Sequence, residues 1–189
     1  MSKNVLRGRL IAEIIPCNYS TPSGLLIVDR KNVSSRGKVL AIGKESMSVN
    51  SKAILPPCKA GDIVYYKKYK PMYHDYSKDG MQKGTCTIWW EDILAILDNS
   101  IIKATYDNVI VKCIYQQVYE KIVVPDKFKK RNQEFHGEVV AAGPKNPFDL
   151  KPGDKILFPR NEGFSIIVDE IEYLCLQERR ILAILGDDE

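Results

Sequence analysis

The sequence is poor in the residues that carry most enzyme and metal chemistry. Only two histidines occur, His74 and His136. Neither belongs to an HExxH, GxSxG or cysteine–histidine signature. His74-Asp75 reads as a surface turn rather than a catalytic dyad, and Gly43-Lys44-Glu45-Ser46 lacks the leading spaced glycine of a phosphate-binding loop. The five cysteines, Cys17, Cys58, Cys86, Cys113 and Cys175, are odd in number and form no CxxC pair. They encode neither a disulfide framework nor a zinc knuckle, and reduced thiols in the cytoplasm fit them best. No apolar run approaches the ~20 residues of a membrane-spanning helix. Met1 to Arg7 lacks an apolar signal core with a small-residue cleavage site, so export is not expected. These absences argue against an enzyme, a metal or cofactor site, and a membrane protein.

What is present describes an ordinary globular chain. Of 189 residues, 44% are apolar and 28% charged, and the net charge of +4 is mild. That charge allows contact with an acidic partner but falls short of the density of a nucleic-acid binder.

The informative feature is a repeat. Arg36-Gly37-Lys38-Val39-Leu40-Ala41-Ile42-Gly43 returns as His136-Gly137-Glu138-Val139-Val140-Ala141-Ala142-Gly143. Ala60-Gly61-Asp62-Ile63-Val64-Tyr65-Tyr66 returns as Pro152-Gly153-Asp154-Lys155-Ile156-Leu157-Phe158, and Asp92-Ile93-Leu94-Ala95-Ile96-Leu97 as Arg180-Ile181-Leu182-Ala183-Ile184-Leu185. The offset shrinks from each landmark to the next, so the second copy has shorter loops. A period of ~90 residues is too long for a solenoid unit and suits a whole small domain. Two domains are expected, residues 1–98 and 99–189, meeting near Asn99-Ser100.

Each copy reads as β. Leu10-Ile11-Ala12, Val39 to Ile42 and Ile63 to Tyr66 are short apolar or β-branched runs bounded by Gly, Pro, Asn, Asp and Ser. Val109-Ile110-Val111, Val139-Val140-Ala141 and Lys155 to Phe158 match them in the second copy. Gly61-Asp62 and Gly153-Asp154 each precede a strand, as a turn with positive φ at glycine would. No segment sustains a 3.6-residue apolar period, which excludes long helices. The DILAIL-like stretches are open to a helical turn followed by a strand.

In this order the landmarks resemble the small co-chaperonins of the GroES type, which cap GroEL-like chaperonins. The family shows a first strand, a long loop ending in an aliphatic tripeptide, G-x-V-x-A-x-G, V-G-D-x-V-x-F and a terminal D-I-L-A-I. The resemblance covers nearly the whole chain, once per copy, and implies an all-β fold of two tandem GroES-like β-barrels. It also implies an oligomeric ring that closes the chamber of a GroEL-like chaperonin, which supplies the ATPase. The family's rings typically have seven members, which a two-domain chain cannot tile using both halves of every chain.

The resemblance assigns partner binding to a mobile loop, here Ile14 to Ile27. Asn18 to Gly24 is rich in Ser, Thr, Pro and Gly with little to bury, so mobility is expected on physical grounds too. By resemblance, Leu25, Leu26 and Ile27 dock in an apolar groove of the chaperonin, with Gly24 permitting the turn. The alternative for such a triplet is an ordinary buried strand. The second copy keeps a triplet, Ile122-Val123-Val124, but Glu120 and Lys121 precede it where the first copy has Ser23 and Gly24. Either a second docking loop or a stiffer hairpin is expected there.

In the family, the segment between the paired glycines forms a hairpin roofing the central opening. Only the first copy, with Lys44 to Ala60, is long enough to supply it, its polar tip being Ser46 to Lys52. A further insertion, Lys67 to Lys83, carries Tyr69, Met72, Tyr73, His74 and Tyr76 and reads as a lid surface or a solvated hairpin. The rival function is single-stranded nucleic-acid binding on a small barrel, through Lys67 to Lys70, Lys127 to Arg131 and Trp89-Trp90. Adjacent strand residues point to opposite faces, so the two indoles are not expected to share a surface.

Overall fold

The structure, a computed structural model, describes residues 7–15, 35–44, 46–47, 53–73, 84–114, 136–159 and 162–185. The first half supplies β1 (Arg9–Ile15), β2 (Ser35–Ile42), a hairpin of β3 (Ser46–Met47) and β4 (Ala53–Ile54), then β5 (Ile63–Tyr66), β6 (Met72–Tyr73), β7 (Thr85–Trp89) and β8 (Ile93–Asp98). There follow β9 (Ile101–Ala104), β10 (Asn108–Cys113), β11 (His136–Ala142), β12 (Lys155–Leu157), β13 (Phe164–Val168), β14 (Ile171–Gln177) and β15 (Ala183–Leu185). Helix among the described residues is confined to 3-10 turns at Trp90–Asp92 and Glu178–Arg180, each leading into an extended segment. The DILAIL-like stretches are thus a turn followed by a strand.

Two large sheets form, in the orders β6-β7-β1-β2-β5-β8-β9 and β13-β14-β10-β11-β12-β15. Their duplication extends to register. Leu10, Ile11 and Ala12 pair with Ile42, Ala41 and Val39, with an irregularity after Ile11. Val109, Ile110 and Val111 pair with Ala142, Ala141 and Val139, with the same irregularity after Ile110. An extra residue at the same place in both ladders increases local twist and re-aims the strand that follows.

The turns repeat as well. Gly61 (φ +95°) and Gly153 (φ +98°) adopt the left-handed backbone expected of them. Asp62 Oδ2 accepts the Lys59 amide and Asp154 Oδ2 the Lys151 amide, each at 2.7 Å. Each aspartate therefore closes its own turn, which explains the Gly-Asp pair in both copies.

The all-β, twofold architecture is as expected, but the sheets do not close into barrels. In the first sheet the terminal strands are β6, two residues long, and β9. In the second, β13 and β15 end the sheet without meeting among the described residues. Closure requires the two terminal strands to pair. Here β9 is committed instead to the contact between the halves.

That contact is a shared core. Leu10, Val39, Val64, Tyr66, Ile88, Trp90 and Ile93 fill the first half, and Val109, Val111, Val139, Leu150, Ile156, Phe158 and Leu176 the second. A third cluster joins Tyr65, Leu94, Ala95 and Ala104 of β5, β8 and β9 to Ile110, Ile166, Val168 and Cys175 of β10, β13 and β14. The Tyr65 hydroxyl donates to the Ile167 carbonyl at 3.1 Å across it.

The connection itself is short. Asn99 and Ser100 both have positive φ (48° and 66°), and Asp98 pairs with Ile101, a two-residue hairpin of the type I′ kind. After β9 the buried Thr105 hydroxyl meets the Ile93 carbonyl at 2.6 Å. Asn108 Nδ2 donates to the same carbonyl at 3.3 Å and to Thr105 Oγ1 at 3.1 Å. Both side chains are buried and satisfied, so the junction is built as firmly as a core.

Candidate functional site

The strongest sequence-predicted site is the pair of aliphatic triplets. Gly24, Leu25, Leu26, Ile27, Ile122, Val123 and Val124 lie outside the described residues. What the structure defines is the base from which each segment departs. β1 and β2 run antiparallel to the register Ile15–Arg36, so residues 16–34 connect the two ends of one ladder. β10 and β11 do the same at Cys113–Gly137, continued by the Ile114 amide on the His136 carbonyl at 3.1 Å. The triplets thus occupy equivalent connections, one per half.

Both bases are anchored by packing. Ile14 lies against the core of the first half, and its amide donates to the Gly84 carbonyl at 2.9 Å. Cys113 packs against the core of the second. Gly37 and Gly137 sit where β1–β2 and β10–β11 approach closely. A Cβ at Gly37 would lie 3.1 Å from the Ala12 Cβ and 3.3 Å from the Tyr66 ring; at Gly137 it would lie 2.2 Å from Val111 Cγ1. The glycine of the G-x-V-x-A-x-G landmark therefore admits the neighbouring strand.

Among the described residues the cysteine thiols are shifted away from the reactive thiolate. Burial pushes the Cys58 thiol up to about 12, with the Asp62 carboxylate adding to it. Burial also raises Cys86, Cys113 and Cys175. Thiols held protonated in this way are poor nucleophiles and poor metal ligands. Among the described residues no three His, Cys, Asp or Glu side chains cluster to hold a metal, and no helix is long and apolar enough to cross a membrane.

Other expected features separate. Trp90 is buried in the first core, whereas Trp89 is exposed with the Arg9 guanidinium 4.0 Å above its ring; the indoles form no common platform. The Lys44–Ala60 segment contains the β3–β4 hairpin, paired Ser46–Ile54 and Met47–Ala53. Its shorter counterpart, residues 144–152, has no strand. Of the Lys67–Lys83 insertion, Tyr69 and Met72 are exposed, and residues 74–83 lie outside the described residues. Sequence reasoning missed the junction group of Tyr65, Thr105 and Asn108; the signal was a polar Thr105-Tyr106-Asp107-Asn108 immediately before an apolar strand.

The comparisons with known proteins agree with this duplication. The family model described as "Chaperonin 10 Kd subunit" matches residues 5–97 and again 101–185. The co-chaperonin GroES of Beijerinckia indica is 37% identical over 73 residues, covering 34% of this chain and 75% of that protein. Those of Brevibacillus brevis and Bordetella petrii are 39% identical over 71 residues and 42% over 72, each across 34% of this chain and 76% and 74% of their own lengths.

Proposed function

The chain belongs to the chaperonin 10 kDa subunit family, once in each half, and from that membership we propose that it is a co-chaperonin that caps a GroEL-like chaperonin. The capping contacts are the triplet Leu25-Leu26-Ile27, with Gly24 permitting the turn, and in the second half Ile122-Val123-Val124. The partner binds and hydrolyses ATP; this chain supplies the lid, displaces bound client from the chamber walls and isolates it. It acts in the cytoplasm as a homo-oligomeric ring, with residues 1–98 and 99–189 as its two domains. The Lys44–Ala60 hairpin contributes the roof.

One observation carries this reading: an ordered set of family landmarks occurs twice, and in each copy an aliphatic triplet lies in the connection that follows the first family strand. The energetics suit a lid. Burying one aliphatic side chain is worth about 1.5–3 kcal/mol, and ordering a loop costs about 2–5 kcal/mol. A single loop then binds weakly, and a ring of loops binds through effective concentration while remaining releasable.

The test is nucleotide-dependent co-sedimentation with a GroEL-type chaperonin. Leu25→Asp/Ile27→Asp removes two apolar contacts, and the affinity of the first loop should fall on the order of 100-fold or more. Ile122→Asp/Val124→Asp should weaken association in proportion to the share the second loop carries. Unchanged association in both variants refutes the assigned contacts.

A further inference from the structure

The four residues after β9, Thr105 to Asn108, tie the two halves together with both side chains and backbone. Towards the first half, the Thr105 amide donates to the Leu94 carbonyl at 3.2 Å, and the Thr105 hydroxyl and Asn108 Nδ2 both reach the Ile93 carbonyl. Tyr106 packs against the first core. Towards the second half, the next three carbonyls all accept. Tyr106 takes the Lys145 amide, Asp107 the Glu178 amide and Asn108 the Gly143 amide, each at 2.9 Å. Lys145 Nζ also lies 5.2 Å from the centre of the Tyr106 ring.

Glu178 completes the circuit. It is 2% exposed, and its Oε1 accepts the Phe148 amide at 2.9 Å. Asn146 Nδ2 donates to the Leu150 carbonyl, also at 2.9 Å, and closes the rest of the loop. Gly143 and Lys145 are thus fastened to the tetrapeptide, and Phe148 to a residue that the tetrapeptide itself holds. The arrangement is costly. A carboxylate is rarely buried, Tyr106 and Asp149 have positive φ (50° and 51°), and Phe148 is left 58% exposed. Local conflicts of this kind mark positions held for something other than stability. The first half repeats the backbone bonds, Trp90 amide to Gly8 carbonyl and Gly43 amide to Arg9 carbonyl. It has Trp90 where the second half has Glu178, so the carboxylate belongs to the second half alone.

We propose that Thr105–Asn108 and Glu178 form a latch that makes the order of loop 143–150 depend on the docking of the two halves. When the halves are docked, the Ile93 and Leu94 carbonyls fix the tetrapeptide, which in turn places its own carbonyls and the Glu178 turn for the loop. When the junction loosens, that base shifts and Phe148 is released before the sheets open. Such coupling is reciprocal, so loosening the loop also loosens the junction. Glu178 is the positioning residue. The loop leaves the β10–β11 ladder at the end opposite the connection that bears Ile122-Val123-Val124, so a strain on the first half is felt at the far end of the second. The latch is a property of the chain alone and does not depend on the capping reading.

The experiment is native-state hydrogen exchange of the full chain, read at the Phe148, Lys145, Thr105 and Gly153 amides. Gly153, bonded to the Val139 carbonyl at 2.8 Å, lies in the same half but off the latch. Thr105→Val removes the hydroxyl from the junction. Phe148 and Lys145 should then exchange roughly fivefold faster, the effect of one lost hydrogen bond, while Gly153 does not change. Thr105→Ser keeps the hydroxyl and should restore wild-type exchange. Glu178→Ala reads the coupling in reverse: Phe148 should accelerate, and the Thr105 amide, bonded to Leu94 in the first half, should accelerate with it. Glu178→Gln keeps an acceptor at Oε1 and should protect both. Unchanged Phe148 exchange in Thr105→Val, an unchanged Thr105 amide in Glu178→Ala, or equal acceleration at Gly153 overturns the latch. Should Thr105→Val fail to fold, the Glu178 pair decides the matter alone.

Discussion

At the scale of single residues, the glycines and buried thiols make the sharpest demands. A Cβ at Gly143 would lie 2.2 Å from the Tyr106 carbonyl oxygen, and at Gly137 2.2 Å from Val111 Cγ1, whereas at Gly37 the nearest atom is 3.0 Å away. Gly143→Ala meets backbone that cannot swing aside, so it should cost about 1–3 kcal/mol in urea unfolding, and Gly37→Ala clearly less. Equal costs at the two sites would show that close approach is not what selects glycine there. The thiols set an alkaline limit. Cys58 rises from its ordinary 9.0 to about 12 because burial disfavours the thiolate, and burial raises Cys86 and Cys175 in the same direction. Above pH 9 the unfolded chain has lost protons that the folded chain retains, so stability falls as pH rises from about 9 towards 12. Cys58→Ala should flatten that slope in pH-dependent urea unfolding, and an unchanged slope would assign the alkaline loss elsewhere.

At the scale of elements, the hairpin turns were only half legible. Gly61-Asp62 and Gly153-Asp154 declared themselves because glycine has few other reasons to precede a β-branched run. Asn99-Ser100 and Asp169-Glu170 did not, since three of these four residues are unremarkable in any loop, yet all four have positive φ. Asn99-Ser100 therefore resembles a linker in sequence but is a tight turn that returns the chain as β9. Placing a non-glycine residue in that region costs about 1 kcal/mol. Ser100→Gly and Glu170→Gly should each stabilise the protein by about 0.5 kcal/mol after the entropy that glycine adds to the unfolded chain. A lowered urea midpoint in both would contradict the turn assignment. The strands themselves were readable because each apolar run is short and punctuated. The irregularities after Ile11 and Ile110 were not, because an extra residue in a ladder is defined by its partner strand.

At the scale of the whole molecule, the duplication was plain from three ordered landmarks, but the way the copies join was hidden. Tyr65, Ala95 and Ile110 look like ordinary strand residues, and only the fold reveals that they meet. Open sheets in place of closed barrels have the same origin: which terminal strands pair depends on contacts far apart in sequence. The shared core predicts one cooperative unfolding transition rather than two. Fluorescence of Trp89 and Trp90 in the first half and alkylation of Cys175 beside the junction should report coincident urea midpoints. Tyr65→Phe, which removes the bond to Ile167, should lower the stability reported by both probes by about 1 kcal/mol; separated midpoints would mean the halves fold independently. The candidate triplets were legible only as a polar, glycine-bearing lead-in to aliphatics, a signal that gains meaning from its place after the first strand of each copy. The most direct measurement of the central claim is sedimentation with a GroEL-type chaperonin, with and without ATP, of the wild type and of a variant carrying Asp at positions 25, 27, 122 and 124. The account predicts that the wild type travels with the chaperonin only when nucleotide is present and that the variant, equally folded, does not. Co-sedimentation of the variant at the wild-type level, or a wild type that never joins the complex, would contradict it.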